Sequence, residues 1–188
     1  MNNLRTKNEK SFSLPVGIGA GKFWDNCTPK EVDDLVMGVR NSIKYDEKIT
    51  NKIFCGFKTA WFQVCGEDMY IRPKIEEIVN QNKDIFDVYP EMPFVEFLKT
   101  LGKYKYALCP HGNGMDPSPT AWLALALKTT PVIYRIPNTT DMFEGNDSVI
   151  FFDKLKEITN KDLYKEKPLI DFEFLTCEYW ANRINSKR

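Results

Sequence analysis

The residues most able to do chemistry lie together in the stretch from His111 to Thr120, His-Gly-Asn-Gly-Met-Asp-Pro-Ser-Pro-Thr. Gly112 and Gly114 carry no Cβ, so the backbone around them can turn sharply and approach a ligand closely. Asp116 or Ser118 can cap a helix begun by Pro117 or Pro119. A helix start presents unbonded N–H groups and the positive end of a dipole, a combination suited to an anion. His111 is the single histidine of the chain, and apart from a perturbed thiol nothing else in the sequence is expected to titrate near neutrality. The same glycines would equally serve a plain tight turn between a strand and a helix. The spacing is not the dinucleotide fingerprint, because Pro117 stands where its third glycine belongs, and there is no phosphate-loop Gly-Lys-Ser/Thr.

A loop of this kind needs a frame on both sides. The apolar run ending at Cys109 reads as a buried strand, Thr120 to Leu127 as a helix and Pro131 to Tyr134 as a further strand. Two strands joined through a covering helix are parallel, which puts the loop at their carboxyl edge, where open α/β sheets bind ligands. The pattern repeats along the chain. Strands are expected at Lys52–Lys58, Ile85–Tyr89 and Ser148–Phe152, and helices at Ile71–Val79 and Phe94–Leu101, the last with Phe94, Phe97, Leu98 and Leu101 inward. Thr28-Pro-Lys-Glu opens a helix with a capping box, its stripe formed by Val32, Leu35, Val36 and Val39. Asp171 to Ser186 reads as a final helix whose aromatics cover apolar surface. Residues 1–12 form a loose polar start, and Ser13 to Trp24 an entry strand and glycine loop without a helix directly behind it. The expected fold is α/β, a single domain over 13–188 with one parallel sheet of about five strands and helices on both faces.

The 188 residues suffice for one well-packed domain. With 26 basic and 26 acidic residues, no global field draws the chain to nucleic acid or to an anionic membrane, so a charged ligand must be held locally. Cys27, Cys55, Cys65, Cys109 and Cys177 are odd in number and widely spaced, with no Cys-x-x-Cys pair; they read as reduced and mostly buried thiols, and no metal site is expected. The polar start lacks the apolar core of a signal peptide, and no apolar run reaches membrane-spanning length, from which a cytoplasmic protein is expected.

Several blocks together resemble the exostosin-like glycosyltransferases: Phe94-x-x-Phe-Leu-x-x-Leu, Tyr-Lys-Tyr-Ala-Leu-Cys-Pro-x-Gly-Asn-Gly-x-Asp, and Trp122-x-Ala-Leu-x-Leu followed by Pro131-Val-Ile. Leu14-Pro-Val-Gly-Ile-Gly and Phe57-x-Thr with Arg72 look like that family's preceding blocks. The resemblance implies the carboxyl-terminal, Rossmann-like half of a GT-B fold, which holds a nucleotide-sugar donor and needs no metal or other cofactor. It also implies a glycan or protein acceptor, and a second chain supplying the acceptor half that this one lacks. The chain departs from the family pattern at three places: Ser118-Pro-Thr stands where a basic residue usually follows the aspartate, Leu123 replaces the glutamate after the tryptophan, and Lys128 replaces a glycine.

On that resemblance the phosphate-binding candidates are Lys58, Arg72, His111 and Arg135, with Gly112, Asn113, Gly114, Ser118 and Thr120 supplying backbone or hydroxyl hydrogen bonds. His111 and Asp116 are the candidate catalytic residues. Each has a structural alternative: Lys58 a solvated strand end, Arg72 a helix-surface ion pair, Arg135 a strand-end residue, Asp116 a helix cap. Two functions follow from different classes: transfer of a sugar from a nucleotide-sugar donor, or a catalytically silent nucleotide- or carbohydrate-binding module.

Overall fold

The computed structural model describes residues 25–57, 71–111, 118–136, 140–143 and 146–186. The expected entry strand, Lys58 and residues 112–117 lie outside them. Thr28 opens the first helix, α1 (Pro29–Ser42): its Oγ1 accepts from the Glu31 N–H at 3.3 Å, and the Glu31 carboxylate accepts from the Thr28 N–H at 2.7 Å. This is the reciprocal cap that Thr-Pro-Lys-Glu announces. The remaining helices are α2 (Ile71–Gln81), α3 (Phe94–Leu101), α4 (Pro119–Ala126) and α5 (Cys177–Asn185).

Among the described residues five strands, β1 (Ile49–Cys55), β2 (Phe86–Val88), β3 (Tyr104–Leu108), β4 (Thr130–Tyr134) and β5 (Ile150–Phe152), form one sheet. Every pairing is parallel and the order is β2-β1-β3-β4-β5. Helices cover both faces. Val32, Val36 and Val39 of α1 pack with α3, α4 and Trp180 of α5 on the face bearing Phe54 and Ala107. Ile71, Ile75 and Val79 of α2, with Ile158 of a 3-10 turn, pack on the opposite face, which bears Ile53, Leu108 and Val132. The α/β class with a doubly covered parallel sheet is therefore the fold of this chain.

The order of the strands fixes where the crevice lies. From β1 the chain crosses to β2 on one side, and from β3 it crosses to β4 on the other. Their crossovers run on opposite faces, so the connections leaving β1 and β3 diverge at the carboxyl edge and open a gap between them.

Most element boundaries differ from the sequence reading by one to three residues, and three of the differences have a clear physical reason. β1 begins at Ile49 rather than Lys52, because Thr50 and Asn51 are exposed at the amino end of the strand and the apolar run marks only its buried half. β3 closes at Leu108 rather than Cys109, although the Cys109 N–H still donates to the Val132 carbonyl at 2.9 Å. The C-terminal helix is split: Phe172–Leu175 forms a 3-10 turn, and Thr176, extended at ψ 148°, accepts from the Tyr179 N–H and starts α5 anew. The aromatics of this tail do cover the core, with Trp180 and Phe174 against Trp122.

Helix α4 is apolar on every side, and Ala121 to Leu127 are all buried. A helix without a polar face must be enclosed. The sheet lies beneath it and Phe143, Phe174 and Trp180 pack around Trp122 above it, with ring centroids 4.7 to 6.3 Å away. Its C-terminal carbonyls meet two cations: Arg40 donates to Ala126 and Lys48 to Leu127. No helix among the described residues is long and apolar enough to cross a membrane.

Candidate functional site

Arg72 lies in the first turn of α2, in the connection that leaves β1, and His111 follows β3. The structure joins them. Arg72 is 9% exposed and its Nε donates to the His111 backbone carbonyl, so the two diverging connections are tied across the gap at the carboxyl edge. Arg72 therefore lies inside the fold rather than on the helix surface. Burial pulls its guanidinium down to about 10, against a smaller opposing influence from Cys109. It is still fully charged at neutral pH, and a buried charge of this kind is kept only where partners compensate it.

His111 is 2% exposed rather than displayed on the loop surface. Its Nε2 lies 2.8 Å from the Tyr134 carbonyl, which can only accept, so Nε2 carries the proton and a neutral ring has its lone pair on Nδ1. Tyr134, at the end of β4, also meets the imidazole edge-on at 6.4 Å between centroids. The start of α2 and the ends of β3 and β4 thus meet at one histidine.

α4, which connects β3 to β4, begins at the same carboxyl edge of the sheet. Ser118, not Asp116, is its cap, accepting from the Thr120 N–H at 3.3 Å, and Pro119 rather than Pro117 is its first residue. Ser118 is 7% exposed and Thr120 is half-buried. Arg135 is turned away from Arg72 and His111: its Nε pairs with Asp153 at 3.1 Å and its guanidinium lies 4.3 Å over the Phe151 ring, the strand-end role. Lys58, Gly112, Asn113, Gly114 and Asp116 fall outside the described residues. Arg72, His111, Ser118 and Thr120 therefore stand on the elements that frame the gap, and Arg135 stands on its outer side.

Burial pushes the Cys55 and Cys109 thiols far above their usual range, so neither titrates near neutrality. The group that does is one the sequence reading passed over. Burial pulls Lys48 down to about 7, which corrects the expectation that only His111 or a thiol would titrate there. Two further residues at the carboxyl edge went unread. The Asp25 carboxylate accepts from the Phe94 N–H at 2.7 Å and caps α3 from 69 residues away. Asp25 and Asn26 have φ 51° and 60°, in the left-handed region, and an Asp-Asn pair was the one local signal available for such a turn. Tyr89, just beyond β2, shares a chain of hydroxyls in which Tyr104 donates to Asp87 at 2.7 Å and lies 2.6 Å from the Tyr89 hydroxyl.

Among the described residues no three His, Cys, Asp or Glu side chains converge as a metal site requires. What the gap offers chemically is a buried permanent cation, a capped helix start and a histidine of fixed tautomer, which together suit an anionic group. No protein-family model matches the chain, and no curated protein matches it either.

Proposed function

We propose that this chain is a glycosyltransferase-like protein whose crevice between the β1 and β3 connections holds the diphosphate of a nucleotide-sugar donor. The observation that supports this most is the Arg72–His111 tie: a buried cation stands at the point where the sheet's connections diverge, at the carboxyl edge where α4 also begins. As a sugar leaves its diphosphate, negative charge grows on the departing oxygens. A guanidinium already in place, together with the N-terminal dipole of α4, would stabilise that charge without reorganising. His111, with its lone pair on Nδ1 when neutral, is the candidate to accept a proton. A glycan or protein acceptor, and a second chain carrying the acceptor side, complete this reading.

A second reading, binding without transfer, has its own support. Leu123 is 0% exposed within the core, so the position where the resembled family carries a ribose-binding glutamate is closed to a ligand here. Arg135 is engaged by Asp153 on the surface. Calorimetry with nucleoside diphosphates and their sugars, alongside mass spectrometry for sugar transfer or donor hydrolysis, separates the two. Binding with turnover supports the enzyme, and binding without turnover supports the silent module. No binding to any member of the panel rejects both.

A further inference from the structure

The opposite, amino edge of the sheet carries a cavity of about 520 Å³ between the end of α1 and the α3–β3 turn. That lies within the size of small-ligand sites, roughly 300–1,000 Å³. Its floor is apolar, formed by Val39, Ile43 and Ile49, and its walls carry four lysines against a single glutamate, in a chain whose formal net charge is zero.

The bland account of these lysines is that α1 and α3 end here, and helix C-termini attract cations. That account covers Lys99, in the last turn of α3, and most fully Lys48. Lys48, 6% exposed, donates to the Gly102 carbonyl at 2.6 Å, to Tyr104 at 2.9 Å and to Leu127 at 3.2 Å, and lies 2.9 Å from the Thr129 hydroxyl. It therefore occupies the carbonyl at the end of α3, with those of Tyr104 and Leu127, which would otherwise repel an anion. Among the described residues Lys44 pairs with Glu47, at 2.9 Å between side chains that are both mostly exposed, an interaction worth little. Lys99 and Lys103 are exposed and have no ion-pair partner among the described residues.

We infer that this groove is a binding site for a small amphiphilic anion, a single phosphate or carboxylate headgroup joined to a short apolar body. The body lies on Val39, Ile43 and Ile49, and the headgroup meets Lys99 and Lys103. The site is separate from the crevice at the carboxyl edge and does not depend on the proposed function.

The test is calorimetry with hexyl phosphate, inorganic phosphate and hexanol on the full chain, repeated on the Lys99→Glu/Lys103→Glu variant. Both positions are exposed, so the variant should fold, which circular dichroism checks. Hexyl phosphate should bind tightest of the three, and the double variant should weaken it by about ten-fold or more. Arg72→Met should leave this affinity unchanged. Failure of hexyl phosphate to bind, equal binding of hexanol or inorganic phosphate, or an unchanged affinity in the double variant would each overturn the assignment.

Discussion

The Arg72 side chain donates to the backbone carbonyl of His111, 39 residues further along the chain, and by that bond the start of α2 holds the end of β3. Replacing Arg72 with methionine keeps much of the apolar stem and deletes the donor. The His111 carbonyl then loses that buried hydrogen bond, at a cost of about 1–3 kcal/mol. Urea denaturation should register that loss, and calorimetry should find diphosphate affinity reduced by more than the stability change alone accounts for. Wild-type affinity in a folded Arg72→Met protein would remove Arg72 from the site.

Lys48 makes stability depend on alkaline pH. Its ordinary value is 10.5 and burial lowers it in the folded state to about 7, so between those values the unfolded chain binds more protons than the folded one. Stability should therefore rise as pH climbs from about 7 to 10.5, and this contribution should vanish below 7, where both states are protonated. The acceptors around Nζ act in the opposite sense, because a neutral amine has two N–H groups to offer and the ammonium has three. Denaturation midpoints measured across this window, compared with Lys48→Met, isolate the effect. A slope no steeper than that of the variant would mean that the carbonyls offset burial entirely.

Trp122 is the centre of the aromatic group that encloses α4, and it is 3% exposed. Trp122→Ala should cost about 3–5 kcal/mol through the cavity it leaves between α4 and the C-terminal segment. Thermal melting followed by near-ultraviolet dichroism should show the loss. A smaller drop, under about 1 kcal/mol, would mean that the tail collapses onto the gap.

The α1 cap offers a smaller and local test. Thr28→Ala removes the Oγ1 that accepts from the Glu31 N–H, and should lower stability by about 0.5–2 kcal/mol. Chemical denaturation with an unchanged m-value would place the effect in the native state.

The fold was largely legible because each helix keeps an apolar stripe at helical spacing. Phe94, Phe97, Leu98 and Leu101 need no partner to be recognised as the inner face of α3, and all four are buried. The Thr28–Glu31 cap was legible for the same local reason, whereas the start of α4 was narrowed only to Asp116–Pro117 or Ser118–Pro119, because both pairs carry the same local signal. The crevice was not. Its location depends on β1 lying between β2 and β3, which is decided by the side to which each crossover turns and leaves no trace in local pattern. Arg72 was singled out only through the family resemblance, because by local pattern an arginine in the first turn of a helix reads as a surface residue. Lys48 sits in the polar run Lys44–Lys52, where nothing distinguishes a solvated lysine from one that gathers carbonyls contributed by residues 54 to 79 positions away. The break at Thr176 was hidden because the aromatics on either side of it continue a plausible helical stripe.

The clamping of α4 at its far end has a kinetic and entropic side. Arg40 and Lys48 hold its last carbonyls from outside the helix, and Ser118 closes its beginning. A helix fastened this way cannot slide along its axis or fray separately from the sheet. Its amides should exchange with solvent only when the whole domain opens, and so should be among the slowest in the protein. An anion arriving at its N-terminus would meet a partner that is already ordered, and binding would forfeit little conformational entropy on the protein's side.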